Sequence, residues 1–330
     1  MANDPGLSGD TCIYMEAVAC DGGVHNGSGV WWLSPDIQLA GPTSGPDKAD
    51  PGEVNPVTVT VRRKSDTSEC ILPPATESIT VQLWVGNPSL AMAPNNPAST
   101  TLIDSIGIQP LGPGTSFNYV FNWTPPTGLP PNDPQSPGHK CLIARSYPDS
   151  LTPSATNFFV PDDQHVAQRN ICIVPCGGPG AARRPGPCGL DVTTLNVNPE
   201  RAEAVTLRAV ADLHPDKHVQ KVVLEHLTGT PGFKRIATAP PVGFEFRLPD
   251  FADAKISDRT RTGCLGRLIA PHHQPTYEAQ IQFEPKQSTR FTFSADMSRA
   301  SFGDAYIFHL TQVGADGRDQ GGLTVVTVAV

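Results

Sequence analysis

The sequence predicts an all-β protein built from two β-sandwich domains. Three observations carry this prediction. Proline and glycine are abundant, at 35 and 30 of 330 residues, and proline breaks helices by removing a backbone donor and clashing with the preceding turn. Between the Pro/Gly-rich stretches, apolar residues recur at every second position, the period that gives a strand one apolar face. Two sheets must pack together to bury such faces. The chain is long enough for two cores of ordinary size, and its strong alternation argues against disorder.

Residues 1–29, rich in Gly, Asp and Asn, read as an extended N-terminal arm. "WWLSPDIQL", Trp31 to Leu39, then opens the first sandwich over residues 30–174. Trp31 and Trp32 are half of the four tryptophans. One of them is expected to plug an end of the sandwich, with Ser34-Pro35-Asp36-Ile37 starting the first strand. Pro35 is tolerated where no hydrogen bond need be donated. The competing reading leaves one tryptophan exposed as a contact for sugar or protein. In "VTVTV", Val57, Val59 and Val61 share a face. In "ITVQLWV", Ile79, Val81, Leu83 and Val85 alternate with Thr80, Gln82 and Trp84. In "SFNYVFNW", Phe117, Tyr119, Phe121 and Trp123 alternate with mainly polar neighbours, making Trp123 a third core anchor. "CLIARSY" and "NICIV" read as strands buried on both faces, and loops such as "GNPSLAMAPNNPAS" separate the runs.

Proline density changes along the chain, with 26 of the 35 before residue 190. "PCGGPGAARRPGPCG", residues 175–189, reads as a Pro/Gly/Cys-rich interdomain linker able to form neither helix nor strand. The second sandwich, residues 190–330, follows with "AVTLRAVADL", "VQKVVLEHL", "FEFRL", "YEAQIQFE", "RFTFSA", "AYIFHLTQV" and "LTVVTVAV". "QVGADGRDQGGLTV" fits a hairpin, Gly and Asp supplying positive-φ positions. "FADAKISDRTRT" has room for one short helical turn. The number and spacing of strands match an immunoglobulin-like sandwich.

The formal charge is −8, of which residues 1–189 carry 9 Lys and Arg against 16 Asp and Glu. Neither half has the basic footprint that phosphate neutralisation requires, which excludes nucleic acid as the expected partner, and an anionic membrane surface with it. The longest apolar run, "LTVVTVAV", is too short to span a bilayer. No basic and apolar leader is visible at the N-terminus.

Eight cysteines, at 12, 20, 70, 141, 172, 176, 188 and 264, lie mostly in or beside loops, which points to disulfides and an oxidising compartment. The location expected is extracellular or on a particle surface, by a route without a visible leader, with the cytoplasm left open. Cys12–Cys20 and one pair among Cys172, Cys176 and Cys188 would close short loops. Cys70 with Cys141 is an inter-strand option, and Cys264 takes the remaining thiol or stays free. Zinc requires four ligands and commonly a C-x2-4-C knuckle. Cys172 and Cys176 fit one knuckle, but no second follows.

Catalytic motifs are missing: no G-x-S-x-G elbow, no H-E-x-x-H and no phosphate-cradling glycine loop. His272 and His273 are adjacent and point to opposite sides of a strand, so they read as loop residues rather than joint ligands. Asp162, Asp163 and His165 in "PDDQH" read as a turn with solvated carboxylates rather than a calcium site, as does "ADGRDQGG", residues 315–322. Asn26-Gly27-Ser28 and Asn122-Trp123-Thr124 satisfy the glycosylation pattern.

"WWLSPDI", "VNPVTVTV", "ITVQLWV", "LGPGTSFNYVFNWTPP", "HKCLIARSYPD" and "HVAQRNICIV" occur in an order that resembles the CARDB-type (cell-adhesion-related domain in bacteria) and related Ig-like modules. The resemblance covers about residues 30–175, with W-x-SPDI, C-L-x-A-R and QRN-I its most specific pieces. It implies a bacterial β-sandwich used for adhesion, spacing or assembly, and no active site; the two glycosylation patterns would then be coincidences. The function expected is a non-enzymatic subunit that builds or decorates an extracellular assembly (surface layer, fibre or phage-like particle) through protein contacts, without a cofactor or metal. One alternative is a soluble carbohydrate- or protein-binding module with Trp84 as a contact residue. Another is an enzyme with an unfamiliar site around His272, His273 and Glu278.

Overall fold

A computed structural model describes residues 11–23, 25, 29–66, 70, 77–94, 96–97, 99–130, 133–136, 138–158, 160–177, 187–238, 243–247 and 276–330. The described chain is almost entirely β and divides into two compact units, Met1–Asn87 with Met92–Asn170, and Pro88–Ala91 with Ile171–Val330.

The first unit contains β1 (Ile13–Tyr14), β2 (Ile37–Gly41), β3 (Gly45–Pro46), β4 (Lys48–Ala49), β5 (Asn55–Arg63), β6 (Ile79–Gly86), β7 (Thr100–Ile108), β8 (Ser116–Trp123), β9 (Gly138–His139), β10 (Cys141–Pro148) and the start of β11 (Val166–Cys176). One sheet is centred on β5, which pairs antiparallel with β8 on one side and with β2 and β1 on the other. The other runs β7-β6-β10-β11. Val57, Val59 and Val61 of β5 face Ile79, Val81, Leu83 and Val85 of β6 in one core, joined by Ile37, Leu39, Phe121, Trp123, Leu142 and Ala144. The period-2 alternation therefore sets the inward faces.

Residues 1–29 are not an arm where they are described. Ile13 pairs with Arg63, Ile13 and Met15 are wholly buried in the same core, and Met15 N donates to Gln164 O. Burying these apolar residues offsets the entropy of ordering a glycine-rich segment. The strand after Ser34-Pro35-Asp36 is consequently the second, not the first.

The second unit takes the rest of β11 and adds β12 (Pro187–Leu195), β13 (Glu203–Asp212), α1 (Lys217–Leu227), β14 (Arg235–Ile236), β15 (Gly243–Arg247), β16 (Thr276–Phe283), β17 (Ser288–Asp296), β18 (Asp304–Val313) and β19 (Asp319–Ala329). One sheet runs β16-β13-β18-β19-β11, the last pairing parallel, and a second runs β12-β17-β15. Phe246, Phe291 and Phe293 meet Leu207, Ile281, Phe283, Phe308, Leu310 and Val325 in the core between them. Strands β18 and β19 form the expected hairpin, with Gly317 at φ 81° in the turn.

Two sequence expectations fail here. "VQKVVLEHL" is helical rather than a strand: Val219, Val222, Val223, His226 and Leu227 form one buried face at helical spacing, and the Asp216 side chain caps the first turn by accepting from Val219 N at 2.8 Å. The segment 175–189 is not strand-free, because Pro175 and Cys176 end β11 while Pro187, Cys188 and Gly189 begin β12. Both ends belong to the second unit, and the Cys176–Cys188 disulfide ties them together. Residues 178–186, and the helical turn expected in "FADAKISDRTRT", lie outside the described residues.

Candidate functional site

Sandwich edges are where an all-β module can meet another chain, because edge strands carry backbone donors and acceptors that no neighbour uses. In the first unit β7 pairs only with β6, and β8 only with β5, among the described residues. The two edges differ. Strand β7 carries the exposed carboxylate of Asp104 at its middle, and its register shifts where Leu83 and Trp84 face it, features that blunt strand addition. Strand β8, "SFNYVFNW", has no charged residue and no proline. Its inward positions Phe121 and Trp123 are buried, whereas Phe117 is 41 % exposed and outward Val120 is 46 % exposed. Tyr119, half-buried, stacks edge-on against Phe121 with ring centroids 4.7 Å apart. Leu102 of β7 adds a third exposed apolar side chain.

Two buried clusters have the residue types of a nucleophile, base and acid. In the first, His165 Nδ1 lies 2.7 Å from Asp163 Oδ1, and its Nε2 meets the Thr11 hydroxyl. In the second, His309 Nε2 lies 3.0 Å from Asp212 Oδ2, and its Nδ1 lies 3.1 Å from Thr324 Oγ1. Neither threonine has accessible surface. A nucleophile must reach a substrate atom, so these chains act as buried hydrogen-bond networks. Asp163 is thus a buried partner of His165 and not the solvated turn carboxylate expected. At Asp212 burial disfavours the charge, but the hydrogen bond and charge of His309 and the N–H of His214 outweigh it and hold the carboxyl below its usual range.

Asp36, from the "SPDI" motif, anchors three segments. It takes both arms of the Arg62 guanidinium, at 3.0 and 2.5 Å, and accepts from Glu16 N at 2.7 Å. Burial still pushes its pKa up against these partners. Nearby Arg169 donates to Asp47 Oδ2 at 2.8 Å and to Ser34 O at 3.2 Å. These bonds pin the Ser34-Pro35-Asp36 stretch that follows the two tryptophans. Trp31 and Trp32 are buried, stacked edge-on at 5.2 Å, and buried Trp123 donates to Gln135 Oε1 at 3.3 Å.

Trp84 is not a surface contact residue. It is 6 % exposed on β6, edge-on to Phe158 at 5.5 Å, with the Arg145 guanidinium 5.9 Å from its ring centroid. Alternation holds along β6, with Leu83 and Val85 in the core and Trp84 outside that cluster, but Phe158 packs against Trp84 and keeps it from solvent. The disulfides also differ from two of the expected pairs. Cys12 bonds Cys70, neither Cys20 nor Cys141 joins a bridge, and Cys141 and Cys172 are buried thiols. Cys176–Cys188 is the pair made from the second cluster, which leaves no zinc knuckle. No group of three metal-ligating side chains is assembled among the described residues. His272, His273, Cys264 and the Asn26 glycosylation pattern lie outside the described residues; Glu278 accepts from Arg208 Nε at 2.6 Å, and Asn122 is exposed on β8.

No family model and no curated protein matches the chain. Among solved structures it is similar to a collagen adhesin of S. aureus, at 7 % identity and TM-score 0.23 over 88 % of this chain and 92 % of that one. It is also similar to a tip adhesin of Pseudomonas aeruginosa, at 10 % identity and TM-score 0.17 over 87 % and 93 %. A third is the collagen binding domain of an Erysipelothrix rhusiopathiae surface protein, at 6 % identity and TM-score 0.18 over 85 % and 93 %.

Proposed function

We propose that this chain is a non-enzymatic interaction protein that builds or decorates an extracellular assembly by adding a strand of another chain to β8. The observation that carries the reading is the uncharged, proline-free edge of β8 with Phe117 and Val120 exposed. Strand addition there would satisfy the edge backbone groups and cover the exposed side chains at once. The two disulfides agree with assembly outside the cytoplasm. A sugar platform made of tryptophans is the weaker reading, because all four are buried. The test is association of the full chain with and without Val120→Lys, followed by light scattering: the charge is expected to abolish higher-mass species while leaving the fold's circular dichroism unchanged. Equal association of the variant would reject β8 as the contact.

A further inference from the structure

Lys140 is 1 % exposed, and among the described residues it forms no ion pair. Its ammonium contacts only neutral acceptors, Asn87 Oδ1 at 3.0 Å and Ser136 Oγ at 3.4 Å. Burying a charge on such terms is costly, and burial pulls the Lys140 pKa from 10.5 down to about 8, against the charges of Cys141 and Asp133. An uncharged amine is therefore accessible near physiological pH, and a neutral lysine amine is a nucleophile.

The side chain it faces is an electrophile held in place. Cys141 pairs with Gly86 on the last rung between β10 and β6, so Lys140 and Asn87 stand opposite each other just beyond it. The Asn87 carboxamide is fixed at both ends: Oδ1 also accepts from Ser136 Oγ at 3.2 Å, and Nδ2 donates to Asp133 O at 2.8 Å. The Ser136 hydroxyl on Oδ1 sits where negative charge develops when the Lys140 amine gives up its own hydrogen bond to Oδ1 and adds to the carbonyl carbon, and the fixed juxtaposition replaces an encounter in solution.

We propose that Lys140 and Asn87 become joined by an isopeptide bond between Nζ and Cγ, formed by the folded chain itself. The neutral amine adds to Cγ. One Nζ proton passes to the departing nitrogen, with the Ser136 hydroxyl, within reach of both Nζ and the carboxamide, as carrier. The Cγ–Nδ2 bond breaks and ammonia leaves. A primary amine and a primary amide thus give a secondary amide and NH3, with no oxidation or reduction. The product would staple β6 to β10 at one end of their ladder, so that neither can slide under load. This inference stands independently of strand addition at β8.

The test is the mass of the intact full-length chain after reduction and alkylation, followed by a digest. The bonded chain weighs one NH3 less than its sequence requires and yields a branched peptide containing Asn87 and Lys140. Holding freshly purified protein above the Lys140 pKa should drive any remaining chains to completion. Lys140→Met and Asn87→Ala should each restore the sequence mass; because the wild-type branched peptide decides the matter, a variant that folds poorly does not obscure it. A wild-type chain that keeps its sequence mass after alkaline incubation would overturn the proposal. So would an ammonia deficit that persists in Lys140→Met or maps to a different asparagine.

Discussion

Asp212 and Asp36 are both buried carboxylates, yet their surroundings push them in opposite directions. Burial raises both, but at Asp212 the His309 interaction wins, whereas at Asp36 burial wins over Arg62. A lowered folded pKa supplies stability above the unfolded value that is lost as pH falls through the folded pKa. For Asp36 the sign reverses: its contribution is present below the unfolded value and lost as pH rises through the folded one. Asp212→Asn is therefore expected to destabilise at neutral pH, with the difference from wild type shrinking as pH falls below the ordinary aspartate range through the lowered folded pKa. Thermal melts across that range check it, and a constant difference would contradict it. The cysteines give a second residue-scale prediction. Bridging Cys12 and Cys70 closes a separation of 58 residues, worth about 4 kcal/mol in the chain-entropy model. Cys70→Ser should lose an amount of that order in urea unfolding, while exposed Cys20→Ser stays within about 0.5 kcal/mol of wild type. Spacing alone favoured Cys12–Cys20. The actual partner is set by a long-range pairing, since β1 lies along the end of β5 and Lys64 N donates to Cys12 O.

Elements were legible where one periodicity was unambiguous. Strands β5, β6, β13 and β17–β19 follow directly from their alternation, and β10 from a run that reads as buried on both faces. Helix α1 did not, because "VVL" within "VQKVVLEHL" fits a buried strand as readily as a helix face, and its cap at Asp216 is the signal that separates them. Asp216→Ala should cost about 1 kcal/mol by loss of that cap, measurable by chemical denaturation; no change would show that the cap bond contributes nothing. Strand β12 was hidden because glycine and proline at 187–189 read as linker, although Leu190, Val192 and Thr194 continue a pairing with β17. Gly321 of β19 shows a backbone contact that no pattern announces: a Cβ there would meet the Leu90 carbonyl oxygen at 1.5 Å. Gly321→Ala is expected to destabilise by more than the usual glycine-to-alanine change, since Leu90 is wholly buried and its carbonyl cannot yield without moving it. A stability equal to or above wild type would show that this approach is not tight.

At the scale of the whole chain, the apolar side chains of the described residues fall mainly into two cores, and Trp84, offered by the sequence as a contact residue, is buried like the three tryptophans expected to pack. Trp31, Trp32, Trp84 and Trp123 all serve packing, and both Thr-His-Asp clusters are sealed. The proposed contact is an edge strand, and only the assembled sandwich reveals which strand lacks a neighbour among the described residues. The sequence marks β8 as aromatic and alternating, yet its position at the margin of its sheet depends on contacts distant in the chain. Size-exclusion chromatography with light scattering on the non-reduced chain, over a concentration series and beside Val120→Lys, tests this account most directly. A mass that rises above 35.1 kDa with concentration, and does not rise in the variant, is the result the account predicts. A wild-type chain that stays monomeric at every concentration, or a variant that associates equally well, would contradict it.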